Sequence, residues 1–214
     1  MRIAKLSLCA SFAAAASFAS FAGAATVSNP SFETGTPIIG GSLNLNWSGD
    51  VHSFVTAQNG ITPAAGNRML KFINTSSSGP GGSNVCDVIQ IVDFSSAPDQ
   101  AVITAGGASV IASALFNRVR DQVQPGVIDT RFALTVRSHS SYGNAVSLAA
   151  TNTFTANLFS DANLNTWESL SSSITLPTNT LYVTIHLAAV ENIVNDVSGV
   201  ELHGHYADQV GIQL

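Results

Sequence analysis

Short β-rich runs separated by clusters of turn residues recur along most of this sequence. They cover residues 67–73, 84–94, 108–120, 130–138, 151–159, 169–176, 181–190 and 203–214. Inside them, residues 131–137 and 182–187 alternate with a period of two, so each should bury one face and expose the other. Turn residues such as Asn59-Gly60 and Pro177-Thr178-Asn179 stand between the runs. Many short strands without intervening helical segments predict an all-β antiparallel sandwich with little helix, of which the jelly roll is one common form.

One run permits a second interpretation. Residues 110–120 have the composition of a short amphipathic helix, but their β-branched residues and the neighbouring strands favour a strand. No repeat of fixed period and no linker interrupts the later chain. Residues 26–214 are therefore predicted to form a single β-sandwich domain.

The first 25 residues have a different character. Arg2 and Lys5 precede an apolar run over residues 6–21, which is followed by Ala22-Gly23-Ala24. This order is typical of a secretory signal peptide. We therefore expect residues 1–25 to be a signal peptide cleaved near Ala24 or Ala25, and the product to be secreted or periplasmic. No later apolar run is long enough to span a bilayer, so no membrane span is expected in the mature chain.

Acidic residues outnumber basic residues in the rest of the chain. All 13 Asp and Glu residues follow residue 25, whereas two of the eight Lys and Arg residues precede it. This balance leaves no basic patch for nucleic acid, so no nucleic-acid partner is expected. Cys86 is the single cysteine of the mature chain, which excludes an internal disulfide, and its apolar surroundings predict a buried thiol.

Two motifs stand at the ends of the predicted mature chain. Residues 27–35 read Val-Ser-Asn-Pro-Ser-Phe-Glu-Thr-Gly, with Trp47 after a Gly- and Asn-rich loop, and residues 206–212 read Tyr-Ala-Asp-Gln-Val-Gly-Ile. Together they resemble the first and last strands of the galactose-binding-like jelly rolls, which include many bacterial carbohydrate-binding modules. The runs between them look like the successive strands of that family. The resemblance covers the whole mature chain and implies an exported module that binds a carbohydrate or a cell-envelope glycan without catalysis.

The resemblance also implies a structural calcium ion. In the similar modules, an acid from the Phe-Glu step and an acid from the final strand ligate Ca²⁺ together with backbone carbonyls, and Glu33 and Asp208 are the matching positions. The sequence departs from the family where Gln209 stands in place of a second consecutive acid. In an extended strand, Asp208 would share the inward face with Val210 and Ile212 and would need a partner. Without a metal, Asp208 would accept backbone N–H bonds and Glu33 would be a solvated turn residue.

Candidate sugar-binding residues follow from the need for exposed aromatic rings and hydrogen-bonding groups. Trp47 and Trp167 occupy positions that look like core tryptophans in the similar family. Tyr142 is the best candidate for an exposed aromatic platform, with Asn144 and His139 as neighbouring hydrogen-bonding groups. Fold similarity carries most of this step, and fold does not imply function.

Other chemistries find less support in the sequence. His203 and His205 could chelate a transition metal with His186, Glu201 or Asp208, but two histidines do not make a site. No Gly-x-Ser-x-Gly or Ser-x-x-Lys motif is present. The residue types of a polysaccharide lyase site do occur, without a known spacing, at Gln90, Arg131, Arg137, His139 and Tyr142. A structural or adhesive envelope protein and a polysaccharide-active lyase or hydrolase therefore stay open as alternatives.

Overall fold

The computed structural model describes residues 25–74, 84–119, 130–161, 163–191, 202 and 204–214. These residues form eleven strands and two short helices. The strands are β1 (Ile38–Ile39), β2 (Ser48–Gly49), β3 (Val51–Val55), β4 (Met69–Asn74), β5 (Asn84–Asp93), β6 (Ser109–Arg118), β7 (Thr130–His139), β8 (Asn152–Phe159), β9 (Glu168–Thr175), β10 (Tyr182–Glu191) and β11 (His205–Gln213). The helices are α1 (Ala97–Thr104) and α2 (Tyr142–Val146).

The strands form two sheets. The six-stranded sheet has the order β1-β2-β5-β10-β7-β8, and the five-stranded sheet has the order β3-β4-β11-β6-β9. All neighbours are antiparallel except β1 and β2. From β4 onward the chain passes from one sheet to the other at each step, except between the neighbours β7 and β8. This alternation is a jelly-roll sandwich, so the predicted fold class is confirmed.

The eight runs predicted as strands correspond to β4–β11. The run over 110–120 is the strand β6 as far as Arg118, because its alternate residues face the core between the sheets. Pattern reading missed the short strands β1–β3 and both helices. These elements are too short for a periodic signal, and α2 has only five residues.

The main core lies between the two sheets. Phe116 and Phe132 stack at its centre with ring centroids 4.8 Å apart, and Phe32 packs against Trp47 at one end. Trp47 is 2% exposed and its indole N–H donates to the carbonyl of Asn29, so its predicted core position is confirmed. Cys86 is also buried in this core, as expected.

A smaller apolar cluster lies on the outer face of the five-stranded sheet. Ile61, Met69 and Tyr206 form its buried part, and the partly buried Trp167 packs against it. The Trp167 indole donates to the carbonyl of Thr62 at 3.0 Å. The segment between β3 and β4 therefore folds back over this sheet and buries residues that would otherwise face solvent. No helix within the described ranges is long and apolar enough to cross a bilayer.

Candidate functional site

Asp208 lies beneath the covering segment between β3 and β4. Its side chain is fully buried. Oδ2 accepts hydrogen bonds from the backbone N–H groups of Ala64 and Ala65 at 2.7 and 3.1 Å, and Oδ1 accepts from that of Gln209 at 2.7 Å. The carboxylate thus ties the last strand to the segment that precedes β4.

The face on which Asp208 lies differs from the sequence expectation. Asp208 pairs with Leu115 of β6, whereas Gly211 pairs with Ser113, so the register shifts between these positions. Gln209 lies at this bulge with a φ of 48°. One extra residue reverses the alternation, so Asp208 faces outward while Val210 joins the core. The predicted shared face with Val210 and Ile212 is wrong, and the need for a partner is met by backbone N–H groups.

Glu33 contacts the same covering segment. Its Oε1 accepts bonds from the backbone N–H groups of Asn67 and Arg68 at 2.9 and 2.8 Å. Gly66 packs against this carboxylate so closely that a Cβ atom there would collide with it. Glu33 is therefore half-buried and bound through Oε1 by backbone N–H groups of this segment. We call Glu33 and Asp208 the carboxylate pair.

The charge of Glu33 acts on Asp208, the other member of the carboxylate pair. The pKa of Asp208 is raised to about 6, mainly by burial and in smaller part by the charge of Glu33, while the three N–H bonds act in the opposite direction. Two like charges that act on each other form an arrangement that a divalent cation would stabilise. No group of three or more His, Cys, Asp or Glu residues with metal-site spacing occurs among the described residues. A calcium ion here would therefore take its other oxygen ligands from backbone carbonyls and water.

The histidines considered for a transition metal lie in different layers of the fold. His205 is buried in the core against Phe132, and its Nε2 lies 2.9 Å from the hydroxyl of Thr130. His186 lies on the outer face of the six-stranded sheet. The structure does not bring these two residues together, and His203 and Glu201 lie outside the described residues.

A row of polar side chains crosses the outer face of the six-stranded sheet. Asp87 of β5, His186 of β10 and Arg137 of β7 alternate with core residues on their strands, so all three point away from the core. His186 Nε2 lies 2.7 Å from Asp87 Oδ1, and His186 Nδ1 lies 3.0 Å from Arg137 Nη1. We call these three residues the polar row.

The chemistry of Arg137 fixes the hydrogen positions within the polar row. A guanidinium can only donate, so Nδ1 of His186 accepts from it and Nε2–H donates to Asp87. Both nitrogens of the imidazole are thus engaged by neighbours in the polar row. Burial lowers the pKa of Arg137, and the nearby charge of Asp87 opposes that change.

Further polar and aromatic groups extend the polar row. The hydroxyls of Thr135 and Thr155 lie 2.8 Å apart on β7 and β8. Tyr182 lies on the same face of β10 as His186, four residues or about 13 Å away along the strand. Its ring meets that of Tyr142 edge-on, with centroids 5.5 Å apart. The outer face thus combines fixed hydrogen-bonding groups with an aromatic pair at one end.

The three candidate sugar-binding residues occupy unequal positions. Tyr142 is 42% exposed, as expected for a platform. His139 is fully buried beneath the segment that carries α2, and its ring nitrogens lie 3.1 Å from Ala149 O and 3.1 Å from Thr184 Oγ1. The Asn144 side chain donates to Ser140 within the α2 turn. That these residues contact a ligand stays a prediction. Of the three, Tyr142 has the most exposed side chain.

Sequence reasoning named two of the three members of the polar row without placing them together. Arg137 was considered as a lyase-type residue and His186 as a metal ligand, whereas Asp87 was missed. Of the other lyase-type residues, Gln90 faces the core side and bonds the backbone of Ser28, and Arg131 lies opposite Phe159 on the outer face. The hydrogen-bonded order β5-β10-β7 brings the polar row together.

Comparisons with known proteins give similarity at the level of the fold. No protein-family model matches the chain, and no curated protein matches it in sequence. A similar structure is the enzymatically active domain of tailspike protein 4 from bacteriophage CBA120, with a TM-score of 0.50 and 13% identity. The match covers 89% of this chain and 21% of that one. This chain therefore corresponds to about one fifth of the tailspike chain.

Two structures that contain a CBM22-1 domain are also similar. The CBM22-1 xylan-binding domain of Paenibacillus barcinonensis Xyn10C has a TM-score of 0.44 and 14% identity, covering 92% of this chain and 97% of that one. The CBM22-1–GH10 modules of Clostridium thermocellum Xyn10B, solved with xylohexaose, have a TM-score of 0.42 and 15% identity. That match covers 88% of this chain and 28% of the xylanase chain. The strand order of the two sheets confirms the jelly-roll fold that the resemblance implied.

Proposed function

We propose that this domain is an exported, non-catalytic module that binds a neutral glycan on the outer face of its six-stranded sheet. The polar row is the observation that carries the proposal. A guanidinium and a carboxylate held in fixed positions offer paired donors and acceptors, which suit the neighbouring hydroxyls of a sugar ring. Tyr142 and Tyr182 add the apolar ring surface on which a pyranose can stack. The charges of Asp87 and Arg137 cancel, which favours an uncharged glycan over an acidic one.

Binding is favoured over catalysis by the state of His186. An Asp–His pair is a common arrangement for a general base, but a base needs a free nitrogen lone pair facing the substrate. Here Nδ1 already accepts from Arg137 and Nε2–H donates to Asp87. The imidazole therefore positions its two neighbours, and neither ring nitrogen faces a substrate with a free lone pair.

Replacing Arg137 by alanine is expected to weaken glycan binding by about 10- to 100-fold, since a hydrogen bond to a charged group contributes about 1.5–3 kcal/mol. Affinity electrophoresis through gels containing xylan, mixed-linkage β-glucan, mannan or polygalacturonate would identify the bound polysaccharide. Titration calorimetry with the matching hexasaccharide would then measure the loss. Lys71→Ala removes the same charge from the five-stranded sheet and serves as the control.

Three outcomes would contradict this part of the proposal. Equal affinities of the parent and Arg137→Ala would place the glycan elsewhere. Retention by none of the polysaccharides would favour the structural or adhesive alternative. Release of reducing ends or of unsaturated sugars during incubation would favour the lyase or hydrolase alternative, and Asp87→Asn would then test whether the polar row is responsible.

We also propose that the carboxylate pair holds a structural calcium ion. Two observations support this proposal. Gly66 packs closely against the Glu33 carboxylate, and the negative charge of Glu33 disfavours that of Asp208. Calcium at 100 times its dissociation constant would stabilise the fold by about 2.7 kcal/mol, which corresponds to a rise of about 5–10 °C in Tm for a domain of this size. Thermal unfolding in calcium, in magnesium and in chelator would measure this rise.

The calcium effect should depend on pH. Because the pKa of Asp208 is raised to about 6, protons compete with the cation below that value. The calcium-dependent rise in Tm is therefore expected to be full at pH 7.5 and mostly lost at pH 5. A rise that is equal at both pH values, or equal in parent and Asp208→Asn, would place the cation elsewhere. If calcium gives no rise in Tm at pH 7.5, backbone N–H bonds alone stabilise the two carboxylates.

Export is the third part of the proposal. It is supported by the basic, apolar and small-residue order of residues 1–25. Mass spectrometry of the protein recovered from the periplasm and medium of a bacterial host would give the N-terminus. We expect a chain that begins near Ala25, and an intact Met1 terminus in the exported fraction would contradict a cleaved signal peptide.

A further inference from the structure

Asp99 is a buried carboxylate in the first turn of α1. Its residue is 3% exposed, and its Oδ2 accepts a 2.6 Å bond from the hydroxyl of Ser96, which caps the helix. Its Oδ1 accepts a 3.4 Å bond from the backbone nitrogen of Ala25. The backbone N–H that donates to Oδ1 thus comes from a residue next to the expected cleavage site.

Within the described part of the chain, Asp99 has no cationic side chain as a partner. Among the described residues, the close ion pair joins His186 and Asp87 on another part of the fold. A buried carboxylate without a positive partner is costly, although the N-terminal turn of a helix offsets part of the cost. The position therefore suits a cation that approaches from the side of Ala25.

The segment after Ala25 is held in one position by side chains from the core. Gln90 is 1% exposed and forms two bonds to the backbone of Ser28, one to its nitrogen at 2.8 Å and one from its own amide to the carbonyl at 2.9 Å. Ala25 and Val27 also pack against the main core. These contacts fix the position of the Ala25 nitrogen relative to Asp99.

We propose that export processing cuts the Ala24–Ala25 bond and that the new α-ammonium group of Ala25 binds Asp99 as an intramolecular ion pair. Water adds hydroxyl to the Ala24 carbonyl carbon and hydrogen to the Ala25 nitrogen. The released peptide then carries the carboxylate, and the nitrogen takes up a proton. The sequence Ala22-Gly23-Ala24 places small residues at the positions that a signal peptidase requires before this bond. This inference rests on the proposed export.

Processing changes what the Ala25 nitrogen offers to Asp99. An amide nitrogen carries one N–H and no charge, whereas an ammonium carries three N–H donors and a full positive charge. Ala25 and Asp99 lie in the wall of a cavity of about 390 Å³ that opens to solvent, so the remaining donors can be hydrated. Cleavage at this bond thus completes an ion pair in the mature fold.

The first test measures the amine directly. In the processed chain, a pairing with Asp99 keeps the Ala25 nitrogen protonated and shielded, so an amine-specific acylating reagent at neutral pH reacts slowly. Asp99→Asn is expected to speed labelling of Ala25 about tenfold, which corresponds to about one pKa unit of the α-amino group. Peptide mass spectrometry after short labelling times separates Ala25 from lysine. Asp93→Asn is the matched control, because Asp93 lines the same cavity but is exposed.

The second test uses thermal unfolding of the processed chain and of the unprocessed 214-residue chain, each with and without Asp99→Asn. The substitution is expected to lower Tm by about 3 °C more in the processed chain. Equal losses in the two chains, or unchanged labelling in Asp99→Asn, would overturn the inference. If the processed chain starts at Ala25 but Asp99→Asn lowers Tm equally in both chains, the ion pair is refuted and the cleavage position is not. A chain cut at a different bond refutes the proposed cleavage position.

Discussion

Replacing Asp208 by alanine is expected to lower the free energy of unfolding by about 3 kcal/mol in the presence of chelator. The side chain accepts bonds from the backbone N–H groups of Ala64, Ala65 and Gln209, and alanine leaves these partly buried donors without that acceptor. Each such donor costs about 1–3 kcal/mol, and part of this is offset because a buried carboxylate no longer has to be desolvated. Urea denaturation at pH 7.5 measures the loss. Asp161→Ala, an exposed acid, is the control.

The conservative variant Asp208→Asn shows how much the protonation of Asp208 contributes to folding stability. Between pH 3.8 and about 6, folded Asp208 holds a proton that the unfolded chain lacks. The stability that this group contributes therefore increases as pH falls through this range and is lost as pH rises through about 6. The stability difference between parent and Asp208→Asn in chelator should accordingly grow in favour of the parent from pH 6.5 to pH 4.5.

Other titrating groups do not disturb this comparison. Burial lowers the pKa of both His52 and His139, so their contribution favours stability at higher pH and falls as pH drops below 6.5. This is the opposite sign to Asp208. Both histidines are present in parent and variant, so they cancel in the difference. A difference that stays constant with pH would show that Asp208 does not titrate in this range.

The strands were predictable from sequence because their signals are local. Alternating residues and turn clusters mark β4–β11, and these signals do not depend on which strands pair. The helix α1 also had a local signal in Ser96-Ala97-Pro98-Asp99, where a capping serine precedes a proline in the first turn. Its eight residues between two strands were too few to stand out from a turn. The missed helix matters because it carries Asp99.

The sites depend on non-local geometry, which explains why they were predicted only in part. The members of the polar row are up to 99 residues apart, and only the neighbour order β5-β10-β7 makes them adjacent. The face of Asp208 depends on the bulge at Gln209, whose left-handed backbone has no marker in the sequence because glutamine rarely adopts it. The resemblance of the end motifs nevertheless selected Glu33 and Asp208, which both bind the segment before β4.

Gly66→Ala is expected to cost about 3 kcal/mol of folding free energy, although it adds a single methyl group. Gly66 has a φ of 65°, where a non-glycine residue costs about 1 kcal/mol or more. Its new Cβ would also collide with the Glu33 carboxylate. Glu33 cannot move aside freely, because moving it breaks the bonds from Asn67 and Arg68. Chemical denaturation in chelator measures this cost without a contribution from calcium.

Two comparisons separate backbone strain from the collision. Gly107 has a similar φ of 76° with nothing within 4 Å of a Cβ atom, so Gly107→Ala should show the strain alone, about 1 kcal/mol. Adding Glu33→Ala to Gly66→Ala removes the group that is struck, so the double variant should lose clearly less stability than the sum of the single variants. Equal losses at the two glycines, or strict additivity with Glu33→Ala, would show that Gly66 does not hold Glu33 in place. Coupling at Gly66 alone would establish that this glycine fixes the carboxylate on which the proposed calcium site depends.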